Sequence, residues 1–315
     1  MVEQMFCYQC EQTAGGKGCT KIGVCGKTPE IAAMQDLLIY QLKGISVYAK
    51  KLLDKNETID ISIASFVEDS LFMTLTNVNF DPVAHLNALK KSQKIKEDLR
   101  VKVGDVKIDS PYALYNLSSS KEEILEDAKK AGIMYDENLD PDIRSVRETI
   151  KYGLKGIAAY SHQARFVKYT SDEVNTFYFK ALAALTDDTL TLEDLIKLLV
   201  ETGDMGVKIM EVLDTANNNT YSSPSPTKVN VNVKKGPFII VSGHDLRDLE
   251  MLLKQTEGKG INIYTHGEML PSHGYPELNK YTHLIGNFGS AWQNQQKEFD
   301  NIPGCILMTT NCLMK

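Results

Sequence analysis

The order of local sequence signals predicts a multidomain protein of the α and α/β classes. Apolar side chains recur at helical spacing over residues 28–215. Beyond residue 236, short apolar runs rich in β-branched residues alternate with an amphipathic helix, as in a parallel sheet built from βαβ units. The predicted segments, in chain order, are a cysteine-rich loop, a helical domain, a linker and a partial parallel α/β domain, over residues 1–27, 28–215, 216–227 and 228–315.

Helix starts in the helical domain are marked by capping residues. Thr28, Asp81 and Asp140 each precede a proline, a pair typical of an N-cap followed by the first helical position. Thr191, with Asp194 three residues later, indicates a capping box. An apolar helical pattern follows these signals, so we expect a long helix after each of them.

An internal repeat lies inside the helical domain. The pattern Y-x-L-K-G-I-x-x-Y occurs at 40–48 and again at 152–160, and similar segments, LFMTLTN and ALAALTD, follow at 71–77 and 181–187. Such self-similarity predicts a duplicated unit, here two three-helix bundles side by side. Gly44 and Gly156 each cost about 1 kcal/mol inside a helix, so we expect both to permit close helix contact.

The α/β part is predicted from its strands. The polar, proline-containing stretch 216–227 favours a linker, and a helix is expected over 245–257. The predicted strands cover residues 237–242, 261–265, 283–285 and 305–310. This alternation indicates a Rossmann-like parallel sheet, of which the sequence contains a part.

Composition limits the classes of partner. A net charge of −6 argues against nucleic acid or an anionic membrane surface as the main partner. No apolar run approaches the roughly 20 residues that a membrane-spanning helix needs. The first residues contain no apolar secretory segment. We therefore predict a cytoplasmic protein without a membrane or nucleic-acid partner.

The densest chemical signal is a run of four cysteines at the N-terminus, Cys7, Cys10, Cys19 and Cys25, spaced C-x2-C-x8-C-x5-C. A short glycine-rich loop with four thiols is typical of a metal centre. Disulfides are disfavoured in a reducing compartment. Zinc stays open, because zinc sites also use C-x2-C. The single tight loop favours an iron–sulfur cluster, whose sulfurs need close backbone approach.

A second group of potential ligands follows the predicted strands. His244 follows the first strand, Glu268 the second and Cys312 the fourth, and parallel strands end at one edge of a sheet. Mixed N, O and S donors suit a metal of intermediate character such as iron. Other interpretations remain: Asp245 is expected to be a helix N-cap, and His244, His266 and Glu268 could be ordinary satisfied polar residues. A dinucleotide site is disfavoured because no G-x-G-x-x-G follows the first strand.

The sequence resembles the hybrid-cluster proteins, also called prismane proteins or hydroxylamine reductases, in the segments FCYQCEQTAGGKGCTKIGVCGK, SGHDL, YTHGEMLP, GNFGSAW and TTNC. The resemblance extends over the whole sequence, and its motifs are long and specific. It implies a [4Fe–4S] cluster on the four N-terminal cysteines, with the spacing of the class found in anaerobes. It also implies a hybrid [4Fe–2O–2S] cluster held in part by His244, Glu268 and Cys312. Cys305 matches no ligand and is expected to be a buried strand thiol.

The resemblance further implies an oxidoreductase that reduces hydroxylamine to ammonia, or nitric oxide to nitrous oxide, in a response to nitrosative stress. A ferredoxin-type or NADH-dependent reductase would donate electrons, and His266 would be a proton donor behind the ligands or a structural residue. The family's remaining ligands lie beyond TTNC, so the sequence is expected to be truncated and unable to complete the hybrid cluster alone. Two alternatives stay open: a carbon monoxide dehydrogenase-like catalyst and a non-catalytic electron-transfer or redox-sensing protein.

Overall fold

The computed structural model describes residues 4–136 and 139–314. From Pro29 to Tyr221 the described chain is mostly helical. Short 3-10 helices cover Ala14–Gly16, Ala128–Lys130 and Ile133–Asp136. The α-helices are α1 (Pro29–Leu53), α2 (Ile61–Met73), α3 (Pro82–Val103), α4 (Pro111–Leu114), α5 (Lys121–Asp127), α6 (Pro141–Phe166), α7 (Asp172–Ala184) and α8 (Leu192–Tyr221).

The predicted helix starts are confirmed. The Thr28 hydroxyl accepts from the backbone N–H of Ile31 at 3.3 Å, and the Asp81 carboxylate accepts from that of Val83 at 2.8 Å. Asp140 caps α6 in the same way. At the start of α8, the Thr191 hydroxyl accepts from the backbone N–H of Asp194, whose carboxylate accepts from that of Thr191. These caps satisfy N–H groups that have no partner within the helix.

The two copies of the sequence repeat lie in α1 and α6. Each copy is followed by a 13-residue helix, α2 or α7, and then by a long one, α3 or α8. The order of helices therefore agrees with a repeat, while superposition of the two bundles stays a prediction. The expected role of Gly156 is wrong, because a Cβ added there would meet nothing within 4 Å. Gly44 does lie in close contact, since an added Cβ would be 2.3 Å from the carbonyl oxygen of Tyr112 in α4.

Helix α8 continues to Tyr221, so the first six residues of the predicted linker, 216–221, are helical. Ala216 and Tyr221 are buried, and this apolar face extends the helix through a stretch that is polar in composition. The exposed, irregular connection begins at Ser222, which has a left-handed φ of 66°.

The described chain forms two compact units whose boundaries differ from the predicted ones. The first comprises residues up to 75, 79–162 and 171–210, and the second comprises 76–78, 163–170 and the chain from 211 onward. One core cluster of the first unit joins α1, α3, α5 and the 3-10 helix that follows α5, through Met34, Leu37, Leu38, Leu89, Ile124 and Ala128. Burial of such side chains is the main stabilising contribution to a helical unit of this kind.

The second unit contains the parallel sheet. Its strands are β1 (Phe238–Ser242), β2 (Asn262–His266), β3 (Leu284–Phe288) and β4 (Cys305–Met308), in the spatial order β3-β2-β1-β4. Its helices are α9 (Leu246–Thr256), α10 (Pro276–Asn279) and α11 (Gln295–Glu298), with a 3-10 segment over Gly267–Gly274 and a 3-10 turn at Trp292–Asn294. All four predicted strands are present, although β3 continues three residues beyond the predicted 283–285 and β4 ends two residues before the predicted end at 310. Val241 pairs with Thr265 on one side and with Leu307 on the other, so β1, β2 and β4 end at one edge.

The expected burial of Cys305 is wrong. Its thiol is free and exposed at the start of β4. Strand β4 pairs only with β1 in the described sheet, so it is an edge strand that is not covered on both sides. Among the described residues, no helix combines the length and apolar character needed to cross a membrane.

Candidate metal centres

The N-terminal loop folds back so that Cys7 and Cys19 pair across a short antiparallel bridge. The backbone N–H of each residue donates to the carbonyl of the other, at N···O distances of 3.1 and 2.8 Å. The Thr13 hydroxyl donates to the Cys7 carbonyl at 3.1 Å and lies 3.9 Å from the Cys19 sulfur. The loop is therefore held by its own backbone and by one threonine.

Backbone groups approach the sulfurs closely, as the glycine content predicts. A Cβ added to Gly23 would lie 3.2 Å from the Cys25 sulfur. At Cys19, burial raises the thiol pKa, but backbone hydrogen bonds from Ala14 and Val24 outweigh it, so the pKa is lowered. At Cys10, burial raises the pKa and the neighbouring thiols add to this effect. The loop therefore favours the thiolate at Cys19 and the neutral thiol at Cys10.

The second group of predicted ligands lies at the carboxyl edge of the sheet. His244 follows β1, Glu268 follows β2, and Cys312 follows β4. Strand β1 lies between the other two, so the three loops are neighbours. The predicted convergence of these residues is therefore present in the fold.

The three side chains meet at one point. Nε2 of His244 lies 2.8 Å from a carboxylate oxygen of Glu268 and 3.0 Å from the sulfur of Cys312. All three ligand atoms lie within 4.8 Å of one another. The cysteine is buried, the histidine is half-buried and the glutamate is exposed. An imidazole, a carboxylate and a thiol at these distances can share one metal.

The protonation of this group differs from that of free side chains. Burial lowers the pKa of His244, and the Glu268 carboxylate partly offsets that shift. Burial also raises the pKa of the Cys312 thiol to about 12, with the negative charge of Glu268 adding to the effect. The histidine is therefore a neutral ligand at physiological pH, whereas the thiol needs a metal to lose its proton.

Cys312 is fixed by contacts that the sequence analysis missed. Its backbone N–H donates to the side-chain oxygen of Asn77 at 3.2 Å, and its carbonyl accepts from Gln295 at 2.6 Å. Asn311 and Cys312 both have left-handed backbones, with φ of 59° and 53°. Sequence signals for the two contacts exist in retrospect, because Asn77 ends the repeated LFMTLTN segment and Gln295 follows the GNFGSAW motif.

Gly243 allows the β1 and β4 loops to approach each other. A Cβ at this position would lie 2.2 Å from the Thr309 hydroxyl oxygen and 2.7 Å from the Thr310 carbonyl oxygen. The backbone N–H of His244 donates to that same Thr310 carbonyl at 3.0 Å. A glycine is therefore required for His244 and Cys312 to be neighbours.

Two other residues of this edge have different roles. Asp245 is the expected helix cap, because its carboxylate accepts from the backbone N–H groups of Arg247 and Asp248. His266 is fully buried; its Nδ1 lies 3.0 Å from the Ser242 hydroxyl and its Nε2 lies 2.8 Å from the Glu298 carboxylate. Both ring nitrogens are thus engaged, and His266 belongs to a network behind the ligands.

A cavity of about 190 Å³ lies beside the group, and its wall includes His244, Glu268, Tyr221 and Ser272. The hydroxyls of Tyr221 and Ser272 are buried without a hydrogen-bond partner among the described residues. The cavity has room for a small polar molecule next to the ligands.

Another set of ligand atoms within 4.8 Å of one another is offered by Glu68, Asp69 and His162, on α2 and α6. Nδ1 of His162 lies 2.8 Å from the Asp69 carboxylate, and the imidazole packs on Phe72 with ring centroids 4.8 Å apart. This is the geometry of an ordinary hydrogen-bonded pair on packed helices, and it has no sulfur donor.

A family model for the Prismane/CO dehydrogenase family matches residues 5–315. The chain belongs to this family. Hydroxylamine reductase from Syntrophobacter fumaroxidans is 50% identical over 315 residues, which covers 99% of this chain and 58% of that protein. Hydroxylamine reductase from Caldanaerobacter subterraneus subsp. tengcongensis is 48% identical, with 99% of this chain matching 57% of that protein. The one from Desulfovibrio desulfuricans is 46% identical, with 100% of this chain matching 57% of that protein. The chain thus spans rather more than half the length of these relatives.

Membership of the prismane family implies iron–sulfur clusters, and the N-terminal loop fits that cofactor. The loop offers four free thiols, the donor set with which an iron–sulfur cluster is held, one thiolate on each iron. The mixed donors of the second group also fit iron.

Proposed function

We propose that this protein is an iron–sulfur oxidoreductase that reduces hydroxylamine to ammonia and water. In this proposal Cys7, Cys10, Cys19 and Cys25 hold a [4Fe–4S] cluster that relays electrons. His244, Glu268 and Cys312 supply part of the ligand set of a hybrid [4Fe–2O–2S] cluster. The observation that carries the proposal is the convergence of imidazole, carboxylate and thiol at one edge of the sheet, 2.8 and 3.0 Å apart.

The reaction takes up two electrons and two protons, breaks the N–O bond and leaves one nitrogen and one oxygen product. When bound at these residues, an iron–sulfur cluster would supply a Lewis acid and the electrons. The residues of the chain hold and orient it: Asn77 and Gln295 fix the backbone of Cys312, and Gly243 lets His244 approach. The adjoining cavity is the proposed entry for hydroxylamine, or for nitric oxide in its reduction to nitrous oxide.

We assign His266 the part of a proton donor behind the ligands. Its Nε2 shares a hydrogen bond with Glu298, which is partly exposed, and its Nδ1 faces the Ser242 hydroxyl two residues before His244. A proton taken up by Glu298 can reach Ser242 through the imidazole, because each step has hydrogen-bond length. The electron donor is proposed to be a ferredoxin-type or NADH-dependent reductase in the cytoplasm.

Metal and acid-labile sulfide analysis of anaerobically purified protein tests the cofactor assignment. About four irons per chain with matching sulfide would support the N-terminal cluster, and about eight would support both clusters. Nickel would favour a carbon monoxide dehydrogenase-like catalyst. One zinc without sulfide would contradict the proposal.

Activity tests the second site. In the protein expressed from its own gene, Glu268→Gln should lower hydroxylamine reduction at least tenfold, roughly the effect of damaging a metal's ligand environment. The matched control is Glu277→Gln on α10, which changes the same group where it pairs with surface Lys280. The N-terminal absorption should be unchanged in both variants. Full activity in Glu268→Gln would contradict the assignment, whereas iron at the N-terminus without any hydroxylamine reduction would favour an electron-transfer protein.

A further inference from the structure

Lys155 is a buried lysine in the middle of α6, with 1% of its surface exposed. Its ammonium donates to the side-chain oxygen of Gln9 at 3.0 Å and to the backbone carbonyl of Thr74 at 3.3 Å. Both acceptors are uncharged. Burying a cation beside neutral acceptors is unfavourable unless an anion lies nearby to offset the lost hydration.

The contact with Lys155 decides how the Gln9 amide is oriented. An ammonium group offers only donors, so it must face the amide oxygen. The amide nitrogen is then directed at the Cys7 sulfur, to which it donates at 3.8 Å. Lys155 therefore orients a hydrogen-bond donor toward one thiolate of the N-terminal loop from a helix 146 positions away.

The charges around Lys155 leave a positive excess. Burial lowers its pKa, and the ammonium groups of Lys151 and Lys27 lower it further, against the opposing effects of Asp36 and Cys7. Lys27 is also buried, with 2% of its surface exposed, and Lys151 pairs with Glu148. Three ammonium groups thus face two carboxylates, Asp36 and Glu148, and thiolates bound to an iron–sulfur cluster would offset the remaining positive charge.

We propose that Lys155 compensates the charge of the N-terminal iron–sulfur cluster and, through Gln9, raises its reduction potential. The inference rests on the proposed function, because it needs a cluster at these cysteines. Such a cluster with four thiolates is anionic in both oxidation states and gains one negative charge on reduction. A nearby cation and an N–H donor directed at sulfur both stabilise the reduced form more than the oxidised form. Lys155 is thus a positioning residue.

The test compares two buried lysines. Lys96 on α3 has the same kind of neutral acceptors, the side-chain oxygen of Gln41 at 2.6 Å and the carbonyl of Tyr115. Lys155→Met and Lys96→Met remove the same charge and keep a similar stem, but Lys96 has no contact with the cysteine loop among the described hydrogen bonds. The chain is loaded anaerobically with iron and sulfide, and the midpoint potential of the cluster is measured by redox titration followed by EPR.

We expect a more negative midpoint potential in Lys155→Met, the parent potential in Lys96→Met, and a return toward the parent in Lys155→Arg. An unchanged potential in Lys155→Met with intact cluster absorption, or an equal shift in Lys96→Met, would overturn the inference and leave the proposed function standing. If Lys155→Met fails to fold or to hold iron, Gln9→Leu decides: a negative shift supports the inference and no shift overturns it. Zinc in place of iron in the parent would overturn both proposals.

Discussion

Nε2 of His244 lies 3.0 Å from the sulfur of Cys312, although the two residues are 68 positions apart in the chain. The two residues lie on separate loops, His244 after β1 and Cys312 after β4. The contact exists because β1 and β4 are hydrogen-bonded neighbours whose ends meet at one edge of the sheet. This pair and Glu268 form a site that can be tested with a metal probe.

The test protein has its four N-terminal cysteines changed to serine, which removes their contribution to the absorption spectrum. We expect it to bind Co²⁺ at His244, Glu268 and Cys312 and to show thiolate-to-cobalt charge-transfer absorption. Cys312→Ser should abolish this absorption and weaken binding at least tenfold, since a hydroxyl is a poor ligand. Cys305→Ser is the control, because that thiol is exposed at the far end of β4. Loss of the absorption in the control instead would show that the cobalt is bound elsewhere.

Gly243→Ala should destabilise the second unit by about 1–3 kcal/mol, since the added methyl group overlaps Thr309 and Thr310 and the residue has a φ of 109°. The cobalt affinity should fall as well, because His244 is displaced from Cys312. Chemical unfolding and the cobalt titration measure the two effects. Gly258→Ala is the control for left-handed backbone strain, having a φ of 72° with nothing within 4 Å of the added carbon. Equal cobalt affinities in the two variants would contradict the role of Gly243.

The two glycines of the sequence repeat should respond in opposite directions to alanine. Gly156→Ala should stabilise the protein by up to about 1 kcal/mol, because α6 gains helix propensity and the methyl group meets nothing. Gly44→Ala should destabilise it by about 1–3 kcal/mol, because the methyl group overlaps the Tyr112 carbonyl. Urea unfolding measures both changes. A loss of stability in Gly156→Ala would mean that the repeat glycines share a packing role after all.

His85 should make stability depend on pH. It is fully buried, its Nδ1 donates to the Asp81 carbonyl at 2.8 Å, and burial lowers its pKa below the ordinary value of 6.5. Below that value the unfolded chain binds the proton more readily, so the free energy of unfolding should fall as the pH drops. Between about pH 7.5 and 5.5, the free energy of unfolding measured with urea should therefore fall more in the parent than in His85→Gln. Equal losses in the two proteins would contradict this effect.

Local signals predicted most of the fold. Thr28 and Asp81 cap their helices through atoms within three residues, so their neighbours in sequence suffice to predict them. The strands needed only short apolar runs. The helical end of α8 was missed because Tyr221 is buried by residues distant in sequence, which a polar composition over 216–221 does not reveal.

The positions of the strand ends were enough to predict which three side chains meet at the candidate site. His244, Glu268 and Cys312 each follow a strand, and parallel strands share an edge, so their convergence followed from the order of elements. The supports of Cys312 could not be predicted in the same way, because Asn77 lies 235 positions from it. The exposure of Cys305 depended on β4 being at the edge, and the sequence does not contain the spatial order of strands.

The left-handed backbone at Asn311 and Cys312 has a consequence for the free energy of metal binding. Each non-glycine residue in that conformation costs about 1–3 kcal/mol, and here Asn77 and Gln295 hold the segment in place. The direction of the thiol is therefore decided during folding, before any metal arrives. Metal binding then requires loss of the thiol proton but no further ordering of this loop. The entropy cost of ordering the loop is therefore part of folding and does not weaken metal binding.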